Sequence, residues 1–289
     1  VTSFAWLKGH GTENDFVLLP DPEGDVHGTL DAAFVAGLCH RRRGLGADGV
    51  MRVIRTAALA AKSGDPAIAG QAAEWFMDYR NADGSVSEMC GNGIRVFARY
   101  LAEADLVDPT GPVPIGTRDG VKVVTYDGDR IAVDMGAPTL LPETKVSVGD
   151  RTWPARHVDV GNPHAVAFVD DLADAGTLLD EPGFDASVYP EGVNVEFVVR
   201  RGPLHVGMRV HERGSGETRS CGTGAVAVAV ATAALDDVRP AEAANRCAGG
   251  TYRVDVPGGT LHITIRPDGH AVLAGPAEIT ARGEMTWLG

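Results

Sequence analysis

Residues 220–235 read SCGTGAVAVAVATAAL: a cysteine, a Gly-x-Gly turn, then an uncharged run of alanine and valine. By period alone the Ala/Val alternation suits a strand. Its length and alanine content favour a helix over 225–235 instead, one apolar on every face and therefore buried all round. The arrangement recurs 131 residues earlier in MCGNGIRVFARYLAE, residues 89–103. Here Ile94, Phe97, Ala98 and Leu101 fall at i, i+3, i+4 and i+7, with Arg95 and Arg99 on another face, which predicts an amphipathic helix over 94–104.

The shared turn is the centre of an internal repeat. Met77 lies 13 residues before Cys90, and Met208 lies 13 residues before Cys221. Each methionine belongs to an alternating stretch, EWFMDYR (74–80) or HVGMRVHER (205–213). Each stretch runs through a polar, glycine-containing loop, NADGSVSE or GSGETRS, into Cys-Gly-x-Gly and a helix. We therefore expect an α+β protein of two pseudo-symmetric halves, each a sheet with one helix held against it. The boundary is expected near MGAPTLLP, residues 135–142, where a strand ends and prolines follow.

Most of the remaining chain reads as short strands separated by Gly, Pro, Asn and Asp. Candidates are 15–19, 49–55, 74–79, 121–126, 130–135, 156–160, 165–169, 193–200, 205–211, 252–256, 260–266 and 270–274. YDGDR and PDGH carry Asp-Gly hairpin chemistry. A third helix is expected over 30–40. The small-residue stretch TAALAAKSGDPAIAGQAA, 56–73, reads as a long hairpin connection, with a short surface helix as the competing view.

With 289 residues, 44% hydrophobic and 22% charged, the chain has the composition of a globular protein, and two domains of ordinary size are expected. A net charge of −13 argues against nucleic acid or an anionic membrane as partner, since both call for a basic patch. The opening residues lack a basic n-region and a long apolar h-region, and no apolar run reaches the length of a bilayer span, so a cytoplasmic location is expected.

Four cysteines, none in a C-x-x-C pair, are too few for a disulfide framework. Cys39 and Cys247 stand in ordinary contexts and read as small buried hydrophobes. Cys90 and Cys221 do not. A cysteine at a helix N-terminus lies beside unpaired N–H groups and the positive end of the macrodipole, which favours thiolate. The adjoining glycines let an anion approach the same N–H groups. Each motif thus offers a thiol and a carboxylate seat together. A Gly-rich turn with cysteine standing in for a serine cap explains one copy as well, but two copies in equivalent places less so. Two such thiols suit inversion of an amino acid's α-carbon: one removes the proton from one face and the other returns a proton to the opposite face. Helix N-termini would stabilise the charge that develops on the carboxylate.

HGTENDFV, NADGSVSEMCGNGIR, GNPHAVAFV, GVNVEF and ERGSGETRSCGTGA closely resemble the diaminopimelate epimerase family, cofactor-independent racemases of lysine and peptidoglycan precursor biosynthesis. The resemblance runs along nearly the whole chain in the family's order. It implies two domains, each a mostly antiparallel β-barrel-like sheet wrapped around a central α-helix, with the site in the cleft. It also implies that the last residues return to the first domain, giving 1–134 plus 275–289 and 135–274.

By the same resemblance Cys90 and Cys221 match the catalytic thiols. Gly91, Asn92, Gly222 and Thr223 match positions whose N–H groups hold the reacting carboxylate. Asn14, Asn81, Asn162 and Asn194 match asparagines that read the substrate's ammonium and distal carboxylate groups. Arg213 matches the arginine on the distal carboxylate, Glu212 an acid near the substrate amine, and His164 a histidine that assists the thiols. Some relatives have a glutamine on the ligand where this chain has Gly49, and nothing is carried to that position. The resemblance implies no cofactor and a small-molecule partner, diaminopimelate, and leaves room for a homodimer; no metal is expected, since the thiols have no ligand-spaced His or Cys nearby.

Plainer roles compete for these residues. Asn14, Asn81 and Asn162 sit in turn-forming contexts, His164 suits a hydrogen-bonded core histidine, and Glu212–Arg213 a surface pair. Three other functions also compete. A proline or hydroxyproline racemase-like enzyme would not need four asparagines and Arg213. A redox protein would use the cysteines as an exchangeable pair, and thiols flanking one carbon, roughly 6–7 Å apart, would be close enough to oxidise after modest movement. An amino-acid-binding module would not need the thiols at all.

Overall fold

The structure, a computed structural model, describes residues 3–236 and 250–287. Cys247 lies outside the described residues. The chain divides into two compact units, Val1–Val133 with Pro276–Gly289, and Asp134–Gly275.

The first unit contains β1 (Ser3–Gly11), β2 (Asn14–Pro20), α1 (Ala32–Cys39), β3 (Gly49–Arg55), α2 (Thr56–Ser63), α3 (Pro66–Ala69), β4 (Trp75–Asn81), α4 (Gly91–Glu103), β5 (Val113–Thr117), β6 (Gly120–Asp127) and β7 (Arg130–Asp134). The second contains β8 (Thr139–Val148), β9 (Arg151–Asp159), β10 (Pro163–Phe168), β11 (Gly183–Phe184), β12 (Asn194–Gly202), β13 (His205–Glu212), β14 (Gly216–Thr218), α5 (Gly222–Leu235), β15 (Thr251–Val256), β16 (Gly259–Ile265) and β17 (Ala271–Pro276). The last strand, β18 (Glu278–Thr286), belongs to the first unit and pairs antiparallel with β1.

The α+β expectation holds, and the repeat extends to strand order. The first sheet runs β18-β1-β2-β3-β4-β5-β6-β7, with the β2–β3 and β4–β5 pairs parallel and the rest antiparallel. The second runs β8-β9-β10-β12-β13-β15-β16-β17, with β10–β12 and β13–β15 parallel in the corresponding places. In the first, α4 packs on β1, β2, β3 and β18. In the second, α5 touches β9, β10, β12, β13, β15 and β16.

That enclosure explains why the Ala/Val run is a helix. Ala225, Val226, Ala227, Val228, Ala229 and Ala231 are all fully buried, so every face of α5 has sheet to meet. In α4 one expectation is corrected: Arg95 is not on a solvated face but completely buried. The 56–73 stretch is also corrected, since it forms α2 and α3 rather than a hairpin connection. Gly64 ends α2 in the left-handed region (φ 67°), Asp65 caps α3 by accepting from Ala67 N, and Pro66 opens it. Leu59 and Ile68 are buried against Ile54 and Phe76, which supplies the tertiary reason for both helices. No helix among the described residues is long and apolar enough to cross a membrane.

Candidate active site

Both cysteines cap their helices. Cys90 precedes α4 and Cys221 precedes α5, each with extended backbone (φ −139° and −120°). Each sulfur accepts from the third helical N–H, Gly93 N at 3.4 Å and Gly224 N at 3.3 Å. The first intrahelical bonds are Ile94 N to Cys90 O and Ala225 N to Cys221 O. The N–H groups of Gly91, Asn92, Gly222 and Thr223 therefore lie ahead of both ladders, at the positive end of each macrodipole. The glycine three residues after each cysteine is needed for close packing. A Cβ on Gly93 would stand 3.2 Å from Met51 Sδ, and one on Gly224 would stand 2.7 Å from Glu196 Oε1.

In the first unit the structure brings Cys90, Asn14 and Asn92 together. Cys90 Sγ donates to Asn14 Oδ1 at 3.7 Å, and Asn92 Nδ2 donates to the same oxygen at 3.2 Å. Asn14 Nδ2 donates to Asp48 Oδ2 at 2.8 Å. Asn14 opens β2 after a two-residue turn in which Thr12 and Glu13 both have positive φ (51° and 63°), a type I′ geometry usually given to Asn-Gly. Asn81 ends β4, pairs in register with Gly49, and donates from Nδ2 to Ser85 Oγ at 3.0 Å.

Sequence reasoning missed Arg95. Its Nη1 donates to Gly91 O and its Nη2 to Asn92 Oδ1, both at 2.9 Å, so it orients the amide that reaches Asn14. Burial pulls its pKa down to about 10, and the negative charge of Cys90 opposes that fall. The helical period placed it on a polar face. Only comparison with the second copy, which has Val226 five residues after its cysteine, marks it as unusual.

The second unit gathers the other residues. His164 and Asn194 are register partners on parallel β10 and β12. Asn194 Oδ1 accepts from Arg213 N at 3.0 Å, and its Nδ2 donates to Pro163 O at 3.1 Å. Arg213 is exposed, with Nη1 on Glu191 O at 3.2 Å. Glu212 Oε1 accepts from Thr218 Oγ1. Cys221 Sγ is 3.5 Å from Thr223 Oγ1.

His164 is completely buried, with Nε2 3.0 Å from Asn162 Oδ1 and Nδ1 2.6 Å from Glu196 Oε1. Glu196, also fully buried, was likewise missed, because GVNVEF reads simply as an alternating strand. Burial raises its carboxyl pKa, while His164 opposes the rise. Burial, then Glu212 and Glu196, push the Cys221 thiol well up; Thr223 and Gly224 N pull the other way. Cys39, by contrast, has its thiol pushed up to about 12, first by burial and then by Asp48 and Asp15, as befits an inert core residue.

Known proteins resemble the chain in sequence and in fold. A family model described as diaminopimelate epimerase matches residues 6–141 and 156–280. A diaminopimelate epimerase of Streptomyces coelicolor is 59% identical over 99% of this chain and 98% of its own length, and one of Thermobifida fusca is 48% identical over 97% of each. Among solved structures, a hydroxyproline epimerase from Agrobacterium vitis with bound trans-4-hydroxy-L-proline superposes with a TM-score of 0.65 at 13% identity, covering 98% of this chain and 92% of that one. A Bacillus anthracis phenazine biosynthesis protein of the PhzF family gives 0.64 at 13%, covering 99% and 100%. These two likenesses concern the fold alone, whereas the matches in sequence span almost the full chain. This chain belongs to the diaminopimelate epimerase family.

Proposed function

We propose that the chain converts LL-2,6-diaminopimelate to the meso isomer by cofactor-independent, two-base proton transfer between Cys90 and Cys221, supplying lysine and peptidoglycan precursors. The observation that carries the chemistry is the duplicated cap: two thiols in equivalent places, each beside a seat of helix N–H groups. The family supplies the substrate.

In this reading one cysteine, as thiolate, removes the α-proton while the other, as thiol, delivers one to the opposite face. The two swap forms with each turnover and with each direction. The α-proton of an amino acid is a very weak acid, so the charge passing into the carboxylate must be stabilised as it forms. The N–H groups of Gly91, Asn92, Gly222 and Thr223, with two helix dipoles behind them, are suited to that task. Asn14, Asn81, Asn162, Asn194 and Arg213 would read the substrate's second amino-acid head, where a guanidinium fork matches a planar carboxylate. Glu212 would face the substrate amine, and His164 would support Cys221.

The test is deuterium incorporation. Reduced enzyme, stripped of metals and small molecules, is mixed with LL-diaminopimelate in D₂O and followed by NMR. Deuterium entering one α-carbon as the meso isomer appears is the expected result, with turnover abolished in both Cys90→Ala and Cys221→Ala. Binding without exchange would remove the catalytic assignment, and exchange surviving loss of either thiol would remove the two-thiol mechanism.

A further inference from the structure

The two copies of the motif differ most where a charge would matter most. With Cys90 set against Cys221, Tyr79 and Val210 each stand 11 residues upstream. Their register partners are Met51 on β3 and Glu196 on β12. Two residues before these lie Gly49 and Asn194, whose parallel partners are Phe16 and His164. Beneath Cys90, then, the strands present Phe16 and Met51, both fully buried and uncharged. Beneath Cys221 the same two places hold the buried His164–Glu196 pair, joined at 2.6 Å. The helices are reversed in character: Arg95 in α4 stands where α5 has Val226.

Arg95 is a buried cation, and among the described residues no carboxylate pairs with it. Its bonds are to Gly91 O and Asn92 Oδ1. On the strands around α4, Lys8 pairs with Asp15 at 2.9 Å, Arg52 with Asp78, His10 with Glu278 at 4.0 Å and Arg282 with Glu103 at 3.3 Å, and Asp48, just before β3, holds Arg41 at 2.7 Å and Asn14. The negative charge that favours the guanidinium is that of Cys90, and electrostatic coupling is reciprocal, so Arg95 favours the Cys90 thiolate to the same degree. Around Cys221, β12 and β13 bring Glu196 and Glu212, which disfavour a thiolate there, while β10 brings His164 onto Glu196. Glu212 and Glu196 thus act on the Cys221 thiol as negative charges, and α5 carries no cation to offset them.

We propose that Arg95 and the His164–Glu196 pair are positioning residues that divide the single proton of the two thiols, holding Cys90 as the resting base and Cys221 as the resting acid. The assignment rests on the two-thiol reading and adds an inequality that the repeat of sequence and strand order conceals. Substrate requiring abstraction by Cys90 meets enzyme already in the right form. Substrate requiring abstraction by Cys221 needs the proton to change places first.

The test is site-resolved alkylation of the substrate-free enzyme by iodoacetamide across pH, with the two cysteine peptides quantified by mass spectrometry. Exposure alters the maximal rate at each thiol, but the pH midpoint reports its thiolate fraction. Cys90 is expected to titrate at lower pH than Cys221. Arg95→Gln should raise the Cys90 midpoint by about one unit, a roughly tenfold fall in labelling below it, and leave Cys221 in place. Glu196→Gln should lower the Cys221 midpoint and leave Cys90 in place, a readout that survives if Arg95→Gln does not fold. Cys221 titrating at or below Cys90 in the wild type, or a Cys90 midpoint indifferent to Arg95→Gln, would overturn the assignment. Labelling is read without turnover, so a reversed order alongside intact deuterium exchange defeats this inference alone. The expected order with no exchange defeats the epimerase reading instead.

Discussion

Asp78→Asn should selectively weaken the unit that carries Cys90. Asp78 lies on β4, the strand that leads into the loop before Cys90, and is completely buried. Its Oδ2 accepts from Arg52 Nε at 3.0 Å and Nη2 at 2.5 Å, its Oδ1 accepts from Arg118 Nη2 at 2.5 Å, and Arg80 Nη2 stands 3.6 Å away. Asparagine keeps one acceptor and turns a donor toward guanidinium groups. Among the described residues, only Arg52 of the three arginines then keeps another carboxylate in range, Asp21 at 4.0 Å. Breaking a buried pair from one side costs about 3–5 kcal/mol. For a domain of this size that corresponds to a fall of roughly 6–20 °C in Tm.

Tryptophan fluorescence in urea suits the assay, because Trp6, Trp75 and Trp287 belong to the first unit and only Trp153 to the second. A Trp153→Phe background isolates the relevant transition. The pH dependence supplies an internal control. Burial would push Asp78 up, but Arg118, Arg52 and Arg80 outweigh it and hold the carboxyl low. A depressed folded pKa contributes stability that is present above the unfolded value of about 3.8 and lost as pH falls through the folded value. The gap between wild type and Asp78→Asn should therefore be full at neutral pH and shrink below about pH 4. A neutral-pH loss under about 1 kcal/mol, or a gap that persists at acid pH, would refute the claim that Asp78 neutralises this cluster.

Three further outcomes are expected. Cys39 should resist alkylation at pH 8 in the native enzyme and react on unfolding, since it is buried and its thiol is pushed up to about 12; native labelling would contradict its core placement. Gly224→Ala should destabilise the second unit by about 1–3 kcal/mol, through the 2.7 Å approach of the new Cβ to Glu196 Oε1, and should lower kcat because Cys221 Sγ is only 3.2 Å from the same position. A variant with wild-type stability and kcat would show that the contact relaxes freely. Glu13→Gly should stabilise the β1–β2 turn by up to about 1 kcal/mol by relieving φ 63°, measured as a rise in the first-unit urea midpoint; no rise would place the strain elsewhere.

The residues that announce themselves in the sequence do so through local geometry that repeats. The Cys-Gly-x-Gly caps needed only the spacing from Met77 and Met208, and the strand alternation followed from period. What escaped depends on partners far along the chain. Arg95 reads as solvated until β1, β2, β3 and β18 are seen to surround α4. Glu196 reads as one more alternating residue until His164, 32 positions away, is found against it. The helices at 56–69 were obscured because their justification is tertiary, the burial of Leu59 and Ile68 on Ile54 and Phe76. Of the four asparagines the resemblance singles out, Asn14 bonds the Cys90 thiol, and the spacing gave no hint of that contact.

The pairing of β1 with β18 bears on how the protein is made. Ser3 pairs opposite Thr286, so β1 leaves the ribosome before the whole second unit and meets this neighbour only after it. The second unit is one uninterrupted stretch and can complete its sheet while synthesis continues. The first cannot: until Glu278–Thr286 arrives, one edge of β1 has unsatisfied backbone donors and acceptors and is open to pairing with another nascent chain. The order of maturation is thus opposite to the order of translation. A nonsense truncation just before Glu278 would leave the second half folded and the half bearing Cys90 exposed to aggregation.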